Sequence, residues 1–323
     1  MKLLSDKDGV ITLSELLPLD TTTPLIAGNH VSTTYQTLSL FKIIAPTIQL
    51  WYIELTAHNH DTITVSNENI KGIVLQVALK NTFKTDTGIL YERQFNVVYY
   101  PDSRFSFQVE KTKTYKLALL YIPLQLFQQA KEHFSQLHNF INAVVHEKKT
   151  KLHDRNLIAS TLLLLHLIEI RYCPTVNQLE QFTWRIVTTA FDLGGDPPPK
   201  PKRITAKQLE QLYRLTSYIN NNYHQQYTVS EFIQAAECSE HTVKKFFTSF
   251  YGIVPNDYIH EQRVLTAIRL LLTTKIKITY IAYEIGYIDN KGLPNTNTFK
   301  RVFEKFIGVL PSHYRKQKSD ISG

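Results

Sequence analysis

The chain has 323 residues, about two domains at roughly 150 residues each, and 43% of it is hydrophobic, which excludes disorder as its default state. Its two cysteines, Cys173 and Cys238, lie far apart with no CxxC pair, which excludes structural zinc on cysteine clusters and suits a reducing, cytoplasmic compartment. The formal net charge of +8 sits wholly in the last part of the chain: from Lys200 onward there are 18 Lys+Arg against 10 Asp+Glu, whereas residues 1–199 hold 18 of each.

In chain order, Met1 to Asp20 carries acidic residues and no long apolar run, so it does not read as a secretory signal. From about Gln36 to Ile122 the chain is rich in β-branched and aromatic residues. Turn signals cut it into candidate strands Ile48–Leu55, Ile73–Leu79, Leu90–Tyr99, Phe105–Val109 and Tyr115–Tyr121. Short strands at this spacing predict an antiparallel sandwich or barrel. Helical texture follows from Pro123 to Leu193, with three or four helices packed on the sheet or on a second copy of the chain. The most apolar stretch, Leu157–Ile170, is shorter than the roughly 20 residues that span a bilayer and contains His166 and Glu169, so it predicts a buried helix and no membrane partner.

Gly194-Gly195-Asp196-Pro197-Pro198-Pro199-Lys200-Pro201 ends that region, because consecutive prolines forbid a helix. It predicts a linker over 194–202 between a domain at 1–193 and one at 203–318. After it everything reads as helix. Leu209, Leu212, Tyr213, Thr216 and Ile219 follow the helical period, and a second helix runs from Tyr258 to Thr273 with an apolar stripe wide enough to be buried between two bodies.

Two segments of this region match at an offset of 56 residues. Val243-Lys244-Lys245-Phe246-Phe247 with Phe250, Gly252, Pro255 and Tyr258 repeats as Phe299-Lys300-Arg301-Val302-Phe303 with Phe306, Gly308, Pro311 and Tyr314. Apolar pairs with apolar, basic with basic, Gly with Gly, Pro with Pro. The chain therefore contains one helical unit twice. In the first, Val229, Phe232 and Ile233 mark a short helix, Ser239 suits an N-cap, and His241–Phe250 forms the next helix. Its free side is His241, Thr242, Lys244, Lys245 and Thr248. In the second, Ile278, Ile281, Ala282 and Ile285 mark the short helix and Gly286 ends it. A helix from about Asn297 to Phe306 then turns Phe299, Val302, Phe303 and Phe306 inward and leaves Lys300, Arg301 and Glu304 outside. A helix-turn-helix needs this arrangement, since its second helix enters a major groove about 12 Å wide with polar and basic side chains foremost.

These residues resemble the AraC/XylS family of bacterial regulators over Ile204 to Lys316. The resemblance is carried by Arg263, Ala267 and Leu271, by Ile281-Ala282-Tyr283-Glu284-Ile285-Gly286-Tyr287 with Asp289, by Phe299-Lys300-Arg301-Val302-Phe303, and by Gly308-Val309-Leu310-Pro311-Ser312-His313-Tyr314-Arg315. The resemblance implies double-stranded DNA as partner, contacted by His241, Thr242, Lys244 and Lys245 in the first unit and by Thr296, Asn297, Lys300 and Arg301 in the second. It implies an N-terminal ligand-sensing or dimerisation domain that looks cupin-like, a small-molecule effector, and helices at 153–193 as a homodimer surface. RNA polymerase is a further partner of such regulators. Two departures stand out. Asn290–Asn295 reads as an insertion that splays the second recognition helix or adds a phosphate contact through Lys291, and Ile233 and Glu237 replace a small residue and a turn glycine.

The predicted class is thus α+β: a β sandwich or barrel with trailing helices, then an all-α domain with two helix-turn-helix units. The alternative is a metal-dependent cupin enzyme fused to a DNA-binding module. His58-Asn59-His60-Asp61 puts two imidazoles on one face, as half of a metal site would, and otherwise reads as a polar turn. No G-x-S-x-G, P-loop or GxGxxG occurs, and no catalytic residue, metal or cofactor is predicted. Cys173 and Cys238 read as packing residues. Trp51-Tyr52 and Tyr99-Tyr100 read as core, with lining of a ligand pocket as the alternative.

Overall fold

Runs such as Ile73-Val74-Leu75-Gln76-Val77-Ala78 and Leu117-Ala118-Leu119-Leu120-Tyr121-Ile122 are apolar on both faces, so their strands must be covered on both sides. The computed structural model describes residues 2–7, 9–11, 26–32, 36–44, 49–66, 72–102, 104–122, 124, 127–128, 137–152, 156–171, 181, 185–190, 205–225, 231, 234, 237–251 and 253–319. The chain divides into two compact units, Met1–Pro197 and Pro198–Gly323. The predicted linker at 194–202 lies outside the described residues, as does Cys173.

In the first unit the described strands are β1 (Lys2–Ser5), β2 (Gly9–Ile11), β3 (Ile26–Ser32), β4 (Gln36–Ile44), β5 (Gln49–Ala57), β6 (Asp61–Ser66), β7 (Gly72–Lys80), β8 (Phe83–Thr85), β9 (Gly88–Leu90), β10 (Gln94–Tyr100), β11 (Arg104–Val109), β12 (Thr114–Ile122), β13 (Thr150–Lys151) and β14 (Leu157–Ile158). They pair antiparallel in two sheets, one ordered β2-β1-β6-β11-β8-β9 and the other β13-β10-β7-β12-β5-β4-β3, with β14 also on β10. The sheets share one core: Trp51, Leu55, Val74, Tyr100, Leu117 and Leu119 from the larger sheet meet Ile63, Val65, Phe83, Phe105 and Phe107 from the smaller. The expected sandwich is therefore present. The predicted strand Leu90–Tyr99 is two strands, because Arg93 at φ 64 turns the chain between β9 and β10.

Among the described residues two helices with defined bounds follow in this unit, α1 (Leu137–Val145) and α2 (Thr161–Arg171), and residues 185–190 are helical as well. The buried helix predicted over Leu157–Ile170 begins only at Thr161, as α2, because Leu157 and Ile158 pair with β10 as strand β14. Leu163 to Leu167 are all buried, and the Tyr52 hydroxyl donates to the Leu167 carbonyl, tying α2 to β5. Trp51 and Tyr100 belong to the inter-sheet core, and Gln76 Nε2 donates to the Tyr100 hydroxyl at 2.9 Å. His58 and His60 are exposed on the β5–β6 turn, while Asp61 turns inward to accept from the Ser5 hydroxyl. Among the described residues no three His, Cys, Asp or Glu side chains are grouped to hold a metal. No helix among them is long and apolar enough to cross a membrane.

The second unit is helical. Its first described helix, α3 (Ala206–Asn222), starts with a capping box: Gln208 N–H donates to Thr205 Oγ1 at 3.2 Å and Thr205 N–H to Gln208 Oε1 at 2.9 Å. Then come α4 (Glu240–Phe250), α5 (Pro255–Thr273), α6 (Ile278–Glu284), α7 (Thr296–Ile307) and α8 (Pro311–Ser319). The α5 helix begins three residues before the predicted Tyr258, because Pro255 at its first position sets a helical φ without losing a needed N–H. It buries Tyr258, Ile259, Val264, Leu265, Ala267, Ile268 and Leu271, the wide stripe foreseen for it.

Candidate nucleic-acid interface

The 56-residue repeat is physical as well as textual. In the first unit Ser239 caps α4, its hydroxyl accepting from Thr242 N–H at 3.3 Å. In the second, Asn295 caps α7, its Oδ1 accepting from Thr298 N–H at 3.1 Å. Ser239 and Asn295 are themselves 56 apart. Behind the caps the same aromatic pair anchors each helix. Phe247 meets Tyr258 edge-on with centroids 5.2 Å apart, and Phe303 meets Tyr314 edge-on at 5.7 Å. All four rings are buried. Edge-to-face pairs of this kind contribute about 0.5–1.5 kcal/mol beyond area burial.

With one face held inside, the opposite face of each helix is fixed in solvent. On α4, His241, Lys244, Lys245 and Thr248 are exposed; on α7, Asn297, Lys300, Arg301 and Glu304 are exposed at the equivalent places. Their spacing of three and four residues aligns each set along one stripe. Thr242 and Thr296 are half-buried. Thr242 is engaged in the cap, its hydroxyl 2.9 Å from that of Ser239. Lys244 Nζ lies 2.6 Å from Glu240 Oε1, one turn back. Among the described residues Lys245, Lys300 and Arg301 form no ion pair, so their charges face outward. Glu240 and Asn295 escaped the sequence reading. The offset of 56 from Ser239 was the available signal for Asn295.

The predicted insertion is a small hairpin that leaves α7 seated. Asn295 N–H donates to the Tyr287 carbonyl at 2.7 Å, Asp289 N–H to the Leu293 carbonyl at 2.8 Å, and Ile288 bridges Pro294. Phe299 and Phe303 remain fully buried beyond it. Ile233 is outside the described residues. Glu237, where the resemblance expects glycine, takes φ 50, and a non-glycine residue there costs roughly 1–2 kcal/mol. Its carboxylate reaches Arg214 at 3.4 Å.

One joint links the two helix-turn-helix units. Arg263, in the middle of α5, donates from Nε to the Tyr223 carbonyl and from Nη2 to the Gln225 carbonyl, both at 2.7 Å. Its guanidinium lies 5.0 Å over the Tyr287 ring. The His260 ring stacks on the other residue of this pair, Tyr287, with centroids 5.8 Å apart, and His260 Nδ1 is 2.9 Å from the Tyr287 hydroxyl. Helix α6 ends here in a left-handed cap: Gly286 N–H donates to Tyr283 O and Tyr287 N–H to Ala282 O, with Gly286 at φ 82.

Burial, then the charge of Arg263, holds the His260 imidazole below its ordinary value. Asp257 opposes this, while Lys305 and Arg301 add to it. A depressed folded pKa contributes stability that is present above the unfolded value, about 6.5, and is lost as pH falls through the folded one. The helical signal of the protein should therefore melt at lower temperature as pH drops from about 7 toward 5, and His260→Asn should flatten that dependence. An unchanged pH slope in the variant would assign the effect to other groups.

The sequence matches the model of a helix-turn-helix domain over residues 232–317. It is 32% identical over 110 residues to the virulence regulon transcriptional activator VirF of Yersinia enterocolitica, covering 34% of this chain and 38% of that one. It is 29% identical over 107 residues to the transcriptional regulator ExsA of Pseudomonas aeruginosa, covering 33% and 36%. The chain thus spans less than two-fifths of the length of these relatives. Among solved structures, fatty-acid-bound ToxT of Vibrio cholerae strain SCE256 is 16% identical, covering 84% of this chain and 95% of that one at a TM-score of 0.31. Matching stretches of sequence, a doubled cap and anchor, and two solvent-facing basic stripes all fall in the same region. Over residues 232–317 the C-terminal unit is a helix-turn-helix domain, similar in sequence to those of these transcriptional regulators.

Proposed function

We propose that the chain is a sequence-specific DNA-binding transcription regulator that reads double-stranded DNA with α4 and α7. The observation that carries this is the repeated stripe, His241/Lys244/Lys245 and Asn297/Lys300/Arg301, each on a capped helix whose opposite face is locked in the core. The charge excess after residue 199 supports it, because a polyanion attracts that segment and not the neutral remainder. Arg301 suits bidentate bonding to guanine O6 and N7. Lys244, tethered to Glu240, suits a phosphate, and His241, Asn297, Lys245 and Lys300 suit the groove edge and walls. Thr242 and Thr296 act through the helix starts, Thr242 by shaping the cap.

In this reading the Met1–Pro197 unit senses a small-molecule effector, and residues 194–202 tether it to the DNA-reading unit. Homodimerisation and contact with RNA polymerase complete the set of partners. The α2 helix spends most of its apolar surface inside its own unit and leaves Leu162 outward, so a dimer contact there would centre on Leu162.

Site selection from random DNA by the full-length protein tests the proposal. Lys245→Ala and Arg301→Ala should each lose about 1–3 kcal/mol if they read base edges. Each should relax preference at a different cluster of base pairs, the clusters lying about one helical turn apart, roughly 34 Å. Identical preferences in wild type and both variants would overturn direct readout by these residues. No selected sequence at all would overturn the DNA-binding function.

A further inference from the structure

Among the described residues the two helix-turn-helix units differ in the stretch of chain that leads into the second helix. In the first, five residues separate Gln234, the last described helical residue before the turn, from Glu240 at the start of α4. In the second, eleven separate Glu284 from Thr296, and the difference is the hairpin from Tyr287 to Asn295. This hairpin is a built element. The Asp289 carboxylate accepts from Lys291 N–H at 2.8 Å and Leu293 N–H at 2.9 Å, and Gly292 N–H donates to the Asp289 carbonyl at 3.0 Å. Gly292 supplies the left-handed φ of 75 that the turn needs. The acid is thereby consumed in holding the turn, and the only side-chain cation of the tip, Lys291, is exposed.

Both feet of the hairpin are anchored. Tyr287 is buried between His260 and Arg263, and Asn295 is the cap of α7. The tip, Asn290 to Leu293, is exposed throughout, with Leu293 58% accessible. A rigid protrusion rooted on the cap residue must project beside the N-terminal end of α7. In a helix-turn-helix that end is the one closest to the DNA.

We propose that the Tyr287–Asn295 hairpin is a wing that lies on the DNA backbone beside the groove segment read by α7, with Lys291 on a phosphate and Leu293 against the adjoining deoxyribose. This rests on the DNA-binding reading above. Because the first unit lacks the hairpin, the contact is one-sided, and the protected stretch of DNA extends further on the α7 side than on the α4 side.

The test uses the full chain and a DNA site selected by the wild type. Affinity is measured against salt, and hydroxyl-radical cleavage maps the sugars covered. Lys291→Ala should flatten the log–log salt slope by about 0.9, the value of one phosphate on duplex DNA. Leu293→Ser should keep the slope, weaken binding at every salt concentration and restore cleavage at a few sugars beyond the α7 half only. Melting of each variant checks that the fold is kept, which the exposed positions favour. Wild-type slopes and footprints in both variants would overturn the wing. So would unaltered DNA binding combined with lost transcription, which would make the hairpin a protein contact. A wild type that selects no DNA would instead overturn the function on which the wing rests.

Discussion

Gly286→Ala is expected to destabilise the C-terminal unit by about 2–5 kcal/mol, combining left-handed strain of roughly 1–2 kcal/mol with overpacking of roughly 1–3 kcal/mol. At φ 82 a side chain is strained wherever it points. Here a Cβ would also be driven into the His224 backbone, with the carbonyl carbon at 2.6 Å and Cα at 2.9 Å. Neither is the movable end of a flexible side chain, so the loop after α3 must retreat. That loop is the one whose carbonyls at Tyr223 and Gln225 hold Arg263. One methyl group therefore attacks both the end of α6 and the Arg263 joint inside the C-terminal unit. Urea denaturation reads the effect in two channels. Both tryptophans, Trp51 and Trp184, precede residue 198, so their fluorescence follows the first unit, while the far-UV signal also follows the helices of the second. The far-UV midpoint should fall and the tryptophan midpoint stay. A far-UV midpoint within error of wild type would show that the joint yields freely and is not the tight contact described.

Phe303→Ala should cost about 3–5 kcal/mol, the range for emptying a buried ring position. The ring is fully buried and meets Phe299 and Tyr314, both at 5.7 Å. Phe247→Ala should cost a similar amount at the equivalent place, where the partners are Tyr251 at 5.5 Å and Tyr258 at 5.2 Å. Phe303→Leu should restore much of the loss by refilling volume, although it forfeits the edge-on ring contact. Denaturant midpoints with unchanged m-values are the measurement. A loss below about 1 kcal/mol for either alanine variant would remove that ring from the anchoring role.

The second unit was far more legible in the sequence than the first. Repetition exposes function because two copies must solve the same packing problem: Phe247 and Phe303 face inward for one reason, and the residues between them face outward for another. The insertion was visible as extra length, but its shape was not. What makes Asn290–Leu293 a hairpin is a set of bonds to the single carboxylate of Asp289, which no periodicity reports. In the first unit, β5, β7, β11 and β12 stood out because they supply the core between the sheets. The β4 strand lies inside the strand-rich stretch that begins near Gln36, but Thr37-Leu38-Ser39-Leu40 offers no continuous apolar run to mark it as a separate element. The β8–β9 hairpin is three residues on each side, too short to show any period. Arg263 was noticed as part of a motif. Its task of fastening Tyr223, Gln225 and Tyr287 depends on residues up to 40 positions away, which only the fold brings together.

The bond from Asn295 N–H to the Tyr287 carbonyl has a use for protein engineering. It closes the chain on itself before α7 begins, so whatever lies beyond it is a detour that returns to the same point. Lengthening such a detour is cheap, each doubling of a flexible loop costing only about 0.6 kcal/mol. Position 290, exposed at the tip and without the positive φ that Gly292 must keep, is thus a splice port for a peptide tag or a fluorescent label. A label placed there would sit beside the recognition helix without entering the core, and would report on whatever that helix meets.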